Sequence, residues 1–230
     1  MPAPDEPGQP GQPGEPGQPG QPGQPGQPGQ PGQPDVVRRA RALLGRTITG
    51  HGVTVRITEV EAYGGSEDPA SHAFTRTPRS EIMYGPSYRL YVYRSYGIHH
   101  CANVVTGPTE IGAAVLLRSG EVVDGIDLAR LRRNHPAREV QLARGPGNLA
   151  QALGITLDDL GADLLAEPVA ESGTAVRLGP EPARRPRIGA GPRVGVSKAA
   201  DVPWRFWVEG DPTVSAYRRS PRAPAPEAGP

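Results

Sequence analysis

Between Glu61 and Asn103 the chain concentrates groups that can hold and hydrolyse a flat heterocycle. Glu61 is a carboxylate able to take a proton from water as a general base. Tyr63, His72 and Tyr93 offer π-faces for stacking. Such rings attract an electron-poor or positively charged heterocycle by a cation–π effect. Tyr96 precedes Gly97 where a hairpin tip is expected. An aromatic side chain there can enter a DNA minor groove and fill the gap left by an extruded base. Asn103 adds a side-chain amide in the following strand. Taken singly, each has a plain structural reading: core tyrosines, a surface histidine, a turn or capping asparagine.

These groups need a scaffold, and the pattern around them predicts one. Asp35 to Gly45 reads as an amphipathic helix: Asp35 suits the N-cap, Gly45 the C′ position, and Val36, Ala40, Leu43 and Leu44 recur at helical spacing. Thr47–Thr49 and Val53–Tyr63, joined across Gly50-His51-Gly52, predict a hairpin. Period two places Val53, Val55, Ile57, Glu59, Glu61 and Tyr63 on one face of the longer strand, apolar first and polar at its end. Spacing alone leaves Glu59 and Glu61 as competing bases. Gly64 to Tyr88 predicts a long irregular segment, the usual home of functional residues. Strands are expected at 89–93, 98–105 and 112–117, the last ending at Arg118. Helices are expected at 126–133 and 149–153, and short strands within 194–208. Arg144-Gly-Pro-Gly-Asn-Leu149 reads as a loop entering a helix N-terminus, a natural phosphate contact.

At either end the composition changes. From Gly8 to Pro34 the triplet Gly-Gln-Pro repeats, with Glu15 replacing one Gln. No core can form from such residues, so residues 1–34 are expected to be a disordered, polyproline-rich tail without a catalytic role. Residues 35–218 then form one domain, and 219–230 a second, short disordered tail. The chain's net charge is +1; the first 34 residues hold Asp5, Glu6 and Glu15 and no Lys or Arg, which leaves +4 for the remainder. That excess is compatible with nucleic acid and does not require it. Cys101 is the only cysteine, so no disulfide or cysteine-based zinc site is expected within the chain. The five histidines show no zinc spacing either. No apolar run suits a membrane span, and the N-terminus lacks the apolar region of a secretory signal.

The string Leu90-Tyr-Val-Tyr93-x-x-Tyr96-Gly97, with Glu61-Ala-Tyr63 before it, resembles the alkyladenine (3-methyladenine) DNA glycosylase family. Glu67-Asp68-x-Ala70-x-His72, Val115-Leu-Leu-Arg118, Arg193-Val-Gly-Val196 and Pro203-Trp-Arg-Phe206 follow in the family's order, so the resemblance spans roughly residues 36–218. It implies a mixed α/β (α+β) single domain with a curved, mainly antiparallel sheet, flanking helices and a protruding, DNA-intercalating hairpin. Glu61 and Arg118 are then catalytic: the carboxylate activates water and the arginine orients both. Tyr63, His72 and Tyr93 stack on the base, backbone at Ala70 and His72 reads its edge, and Asn103 rejects guanine. Val194 lies near the water, and Tyr96 intercalates. The implied reaction is monofunctional hydrolysis of the N-glycosidic bond of alkylated or deaminated purines in double-stranded DNA. It implies a monomer, no cofactor, no metal, no membrane, and a cytoplasmic, nucleoid-associated location. Gly64-Gly65 and His99-His100 depart from relatives and bear on base preference or DNA grip. Two other readings of the residues stand beside this one: a non-catalytic nucleic-acid-binding module, and a nucleoside hydrolase.

Overall fold

A computed structural model describes residues 35–167 and 176–225. The expected 1–34 tail lies outside the described residues. Its element order is α1 (Asp35–Leu43), β1 (Thr47–Gly50), β2 (Val53–Gly64), β3 (Leu90–Ser95), β4 (His99–Val105), β5 (Ala113–Asp124), α2 (Ile126–Arg132), β6 (Ala143–Arg144), α3 (Pro146–Leu153), β7 (Arg177–Leu178), β8 (Ile188–Gly191) and β9 (Arg205–Val208). Short 3-10 turns punctuate the segment between β2 and β3. All strand pairings are antiparallel, in one nine-stranded sheet with the central order β3-β4-β5-β2-β1-β7. The fold is therefore the mixed α/β domain with a curled antiparallel sheet that the family resemblance implies.

The helices end where local chemistry ends them. In α1, Asp35 sits in the first turn and accepts from Arg39 at 2.5 Å and also from Arg38. Its carboxylate faces the positive end of the helix dipole. The apolar stripe Val36, Val37, Ala40 and Leu43 is buried, and Gly45 at φ +83° turns the chain into β1. In α3, Pro146 occupies the first turn, where its missing N–H costs nothing. Gly154 at φ +75° closes the helix, with Ile155 N–H donating to Ala150 O at 2.9 Å. Leu149, Ala150, Ala152 and Leu153 join Val53, Val55, Val115 and Leu117 in the main core. A smaller core of Ala73, Met83, Tyr84, Tyr91, Val105 and Ala114 lies where the irregular 65–88 segment covers the sheet.

The pairing of β2 with β5 decides where the chemistry-bearing side chains point. Ile57 pairs with Gly120 and Glu59 with Ser119, so Thr58 is an extra residue on β2; Val60 then pairs with Leu117, so Arg118 is an extra residue on β5. Each is a β-bulge, and a single inserted residue reverses which face the following side chains use. The expected single face is therefore corrected. Val53, Val55 and Ile57 face the main core, but beyond the bulge it is Val60 and Ala62 that continue it. Glu59, Glu61 and Tyr63 share the opposite face. The bulge is held by the Thr58 hydroxyl, buried and 2.7 Å from that of Thr213. Close approach of β5 to β2 beside the bulge needs Gly120, because a Cβ there would fall 2.6 Å from Arg56 O.

Two tight turns join neighbouring strands. His51 and Gly52, at φ +48° and +82°, form the two-residue β1–β2 turn. The β3–β4 tip uses the same conformation at Tyr96 (φ +50°) and Gly97 (φ +71°), and Ile98 N–H donates to Ser95 O at 3.1 Å. At the other end of the chain, residues 219–225 are described, and Arg219 bonds Asp201 at 2.6 Å. No helix among the described residues is long and apolar enough to cross a membrane.

Candidate active site

The two carboxylates of β2 are both fully buried, and their surroundings separate them. Glu59 Oε1 accepts from Arg205 Nε at 2.6 Å, Ser215 Oγ at 2.9 Å and Arg118 Nε at 3.1 Å. Its Oε2 accepts from Ser119 Oγ and the Ser215 N–H, both at 2.8 Å. A carboxylate offers about four lone-pair positions, so Glu59 has none left for water. Burial works to raise its pKa, but Arg118, the Ser215 amide and Arg205 outweigh it and hold the carboxyl below its ordinary range. Glu61 is less occupied. Oε1 accepts from Val194 N–H at 2.7 Å and lies 3.3 Å from Arg118 Nη1. Oε2 accepts only the Tyr63 hydroxyl, at 2.9 Å. One lone pair of Oε2 therefore stays open, beside a cavity of about 520 Å³ that Glu61 lines and Glu59 does not.

That cavity gathers Glu61, Tyr63, Ala70, His72, Tyr93, Tyr96, Asn103, Arg118 and Val194, the nine residues to which the resemblance gives a site role. They come from β2, the 65–88 segment, β3, β4, β5 and the stretch before β9. His72 stands edge-on to Tyr93, ring centroids 4.6 Å apart, and its Nδ1 lies 3.0 Å from the Tyr91 hydroxyl. Burial by the surrounding rings, then the Arg79 charge, push the His72 pKa down to about 4, so the imidazole is neutral at pH 7. Burial also pushes the Tyr63, Tyr91 and Tyr93 phenols up, and all three stay protonated. Asn103 is buried, and its amide nitrogen donates to Tyr91 O at 3.0 Å and Cys101 O at 3.4 Å. With its donors turned into the strands, the carbonyl end is the one free to meet a ligand; this orientation follows the hydrogen-bond network. At the rim, Tyr96 is 93% exposed in a left-handed conformation uncommon for a bulky residue.

Sequence reasoning gave no role to several residues that hold this arrangement. Arg193, fully buried, binds Asp68 with Nη1 at 2.5 Å and Nη2 at 2.9 Å, and donates to Ala62 O at 3.0 Å. Its guanidinium lies 4.8 Å over the Tyr63 ring and 5.4 Å over Trp204. Asp68 in turn accepts from the Gly64 and Ala70 amides, each at 3.1 Å. The pair thus ties the end of β2, the His72 segment and the Val194 amide together. Both residues stand inside the recurring strings, Glu67-Asp68 and Arg193-Val-Gly-Val196, and only long-range pairing reveals their partnership. Tyr91, Arg79, Met83, Cys101, Leu116 and Pro146 are among the other residues of the lining. Gly64 and Gly65 do not face the cavity: a Cβ would meet Trp204 at 2.9 Å and Ile111 O at 2.2 Å respectively. His99 and His100 lie on β4 outside it, His99 beside Gly147.

The Glu59 network predicts a measurable stability dependence. Its carboxyl is held below the ordinary 4.5 in the folded state. The stabilisation is therefore present above about pH 4.5 and is lost as pH falls through the lowered folded value. Glu59→Gln should cost about 3–5 kcal/mol at pH 7, because it leaves Arg118 and Arg205 short of a counter-charge. The difference from the parent in urea unfolding should shrink on acidification below pH 4.5. A constant difference from pH 7 to pH 3 would show that ionisation of Glu59 is not its source.

With this geometry in view, comparison with known proteins gives a consistent result. A family model described as Methylpurine-DNA glycosylase (MPG) matches residues 32–212. A protein of Mycobacterium sp. (strain KMS) is 52% identical over 198 residues, 84% of this chain and 94% of its own length. One of Rhodococcus jostii (strain RHA1) is 53% identical over 193 residues, 81% and 83% of the two chains. One of Mycobacterium tuberculosis (strain ATCC 25618 / H37Rv) is 53% identical over 197 residues, 83% and 94%. All three carry a 3-methyladenine DNA glycosylase name. The family match covers the whole sheet and all the residues that line the cavity, and the chain belongs to the methylpurine-DNA glycosylase family.

Proposed function

We propose that the protein removes alkylated purines of the 3-methyladenine type, and deaminated purines, from double-stranded DNA by hydrolysing the N-glycosidic bond. The observation that carries this reading is the open lone pair of Glu61 Oε2 at the wall of an aromatic cavity, below an exposed tyrosine. A base inside a duplex is out of reach of any carboxylate, so it must be flipped out. Tyr96 fills the vacated place in the stack, entering from the minor groove. The extruded purine lies in the slot of Tyr63, His72 and Tyr93, its edge read by backbone at Ala70 and His72. The Asn103 amide, fixed against the backbone of β3 and β4, clashes with the extra substituent of guanine and so helps reject normal bases. Glu61 takes a proton from water as that water attacks the sugar, and its charge faces the cation developing there. Arg118 and the Val194 N–H hold the carboxylate in place; Tyr63 adds a third contact. The base leaves with its bonding electron pair, and an abasic site remains.

Bifunctional glycosylases need an amine nucleophile that forms a Schiff base. The only lysine, Lys198, does not line the cavity and lies 5.8 Å over the Phe74 ring. The reaction is accordingly monofunctional. The protein is proposed to work as a monomer on nucleoid DNA in the cytoplasm. Residues 1–34 and 219–230 are proposed as tails to a catalytic domain at 35–218.

An oligonucleotide duplex with one hypoxanthine tests the reading. It should give strand scission only after alkali, and borohydride should trap no protein–DNA adduct. Intact strands after alkali, or a trapped adduct, would refute it.

Tyr96→Ser should slow excision more where the damaged base is well paired than where it is mispaired, because less unpairing energy is needed in the second case. The fold should be unaffected, since the side chain packs against little. Equal losses on both duplexes would assign Tyr96 to general DNA contact.

A further inference from the structure

The cavity walls carry a charge that the reaction above does not use. On one wall Glu61 and Arg118 balance each other at 3.3 Å. Arg193, over the back of Tyr63, is balanced by Asp68. Arg79 is different. It lines the same cavity, and its guanidinium carbon lies 5.0 Å from the centroid of the Tyr93 ring. Among the described residues no carboxylate forms a salt bridge with it, whereas the neighbouring Arg76 pairs with Glu81 and Glu110. Arg94, also on the lining, adds to the same sign. The wall of the base slot is therefore net positive.

This placement matters for what the slot selects. Stacking tyrosines attract a positively charged base through the negative face of the ring. A guanidinium already over Tyr93 draws on that attraction and repels a second cation in the same cavity. Neutral His72 does not offset it: the Arg79 charge helps keep the imidazole unprotonated. A neutral base of the same outline loses nothing, because stacking area and edge hydrogen bonds are unchanged.

We propose that Arg79 is a specificity-determining residue that, from its seat over Tyr93, disfavours bases with a formal positive charge relative to neutral bases of similar size. The inference rests on the base-slot reading and adds to it a residue and a direction of selection. A role in fold or loop stability would move both substrate classes together, so the ratio between them separates the two.

The test uses the full chain and two duplexes, one with N7-methylguanine, a cationic base, and one with hypoxanthine, a neutral one. Single-turnover excision is measured for the parent, Arg79→Gln and Arg79→Lys. The methylguanine-to-hypoxanthine rate ratio should rise about tenfold in Arg79→Gln, the size expected for partly screened unit charges sharing one pocket. In Arg79→Lys, which keeps the charge, the ratio should stay within about twofold of the parent. An unchanged ratio in Arg79→Gln overturns the proposal while leaving base excision standing. Equal slowing of both substrates, with a shallower salt dependence, also overturns it and gives Arg79 to a DNA phosphate. A parent that releases neither base overturns the excision reading, and this inference with it.

Discussion

Two carboxylates two residues apart on one buried strand face set the condition that the rest of this structure meets. Ionised groups out of water cost several kcal/mol each unless they are paired and hydrogen-bonded. Glu59 and Glu61 are both fully buried, and two arginines answer them. Arg118 spans the pair, with Nε on Glu59 at 3.1 Å and Nη1 near Glu61 at 3.3 Å. Arg205 closes on Glu59 from β9. The cluster is thus neutral as a whole, and its two members have unequal lots. Glu59 is saturated and holds the structure; Glu61 has an acceptor position left over and lines the cavity. This inequality arises from chain topology. The Ser215 and Val194 amides that satisfy the carboxylates arrive from 156 and 133 residues away, so the active arrangement exists only once the C-terminal stretch has wrapped across β2.

The same economy of charge runs through the slot. Burial keeps Tyr63, Tyr91 and Tyr93 as phenols and His72 as a neutral imidazole. The rings therefore present stacking faces and directed hydrogen bonds without adding ionisable charge. Asp68 and Arg193 neutralise each other behind Tyr63 while tethering three separate segments. Where charge is left unbalanced, at Arg79 and Arg94, it lies on the walls that a ligand would pass or touch. Strain is placed at the rim in the same manner: Tyr96 holds a left-handed backbone with its ring in solvent, an arrangement that costs about 1–3 kcal/mol and gives the folded protein itself no contact in return.

Much of this was legible in the chain because the signals are local. The α1 helix follows from Asp35, Gly45 and its apolar spacing, and the β1–β2 hairpin from Gly50-His51-Gly52. Strands β3 and β4 meet around Tyr96-Gly97 as their turn residues require. The cavity unites the nine residues to which the resemblance gives a site role, while their individual roles rest on the proposal above. What the sequence hid is non-local. A strict period of two put Val53 through Tyr63 on one face, whereas the bulge at Thr58 reverses the phase of β2 and turns Glu59, Glu61 and Tyr63 away from the core. No propensity marks an inserted residue in a strand; register against β5 creates it. The choice between Glu59 and Glu61 was likewise open on spacing, because it depends on Arg205 and Ser215, far along the chain. Asp68 with Arg193 was invisible for the same reason.

The central claim is that Glu61, with its one open acceptor position, activates the water. Glutamine at that position keeps the size and can still accept from Val194 N–H, but it has neither the charge nor the basicity. Single-turnover excision by Glu61→Gln, measured alongside its affinity for the same damaged duplex, tests the claim most directly. The account predicts affinity equal to the parent's or higher, with excision reduced by about 10²–10⁴-fold or more. Near-parental excision by the glutamine variant would contradict it.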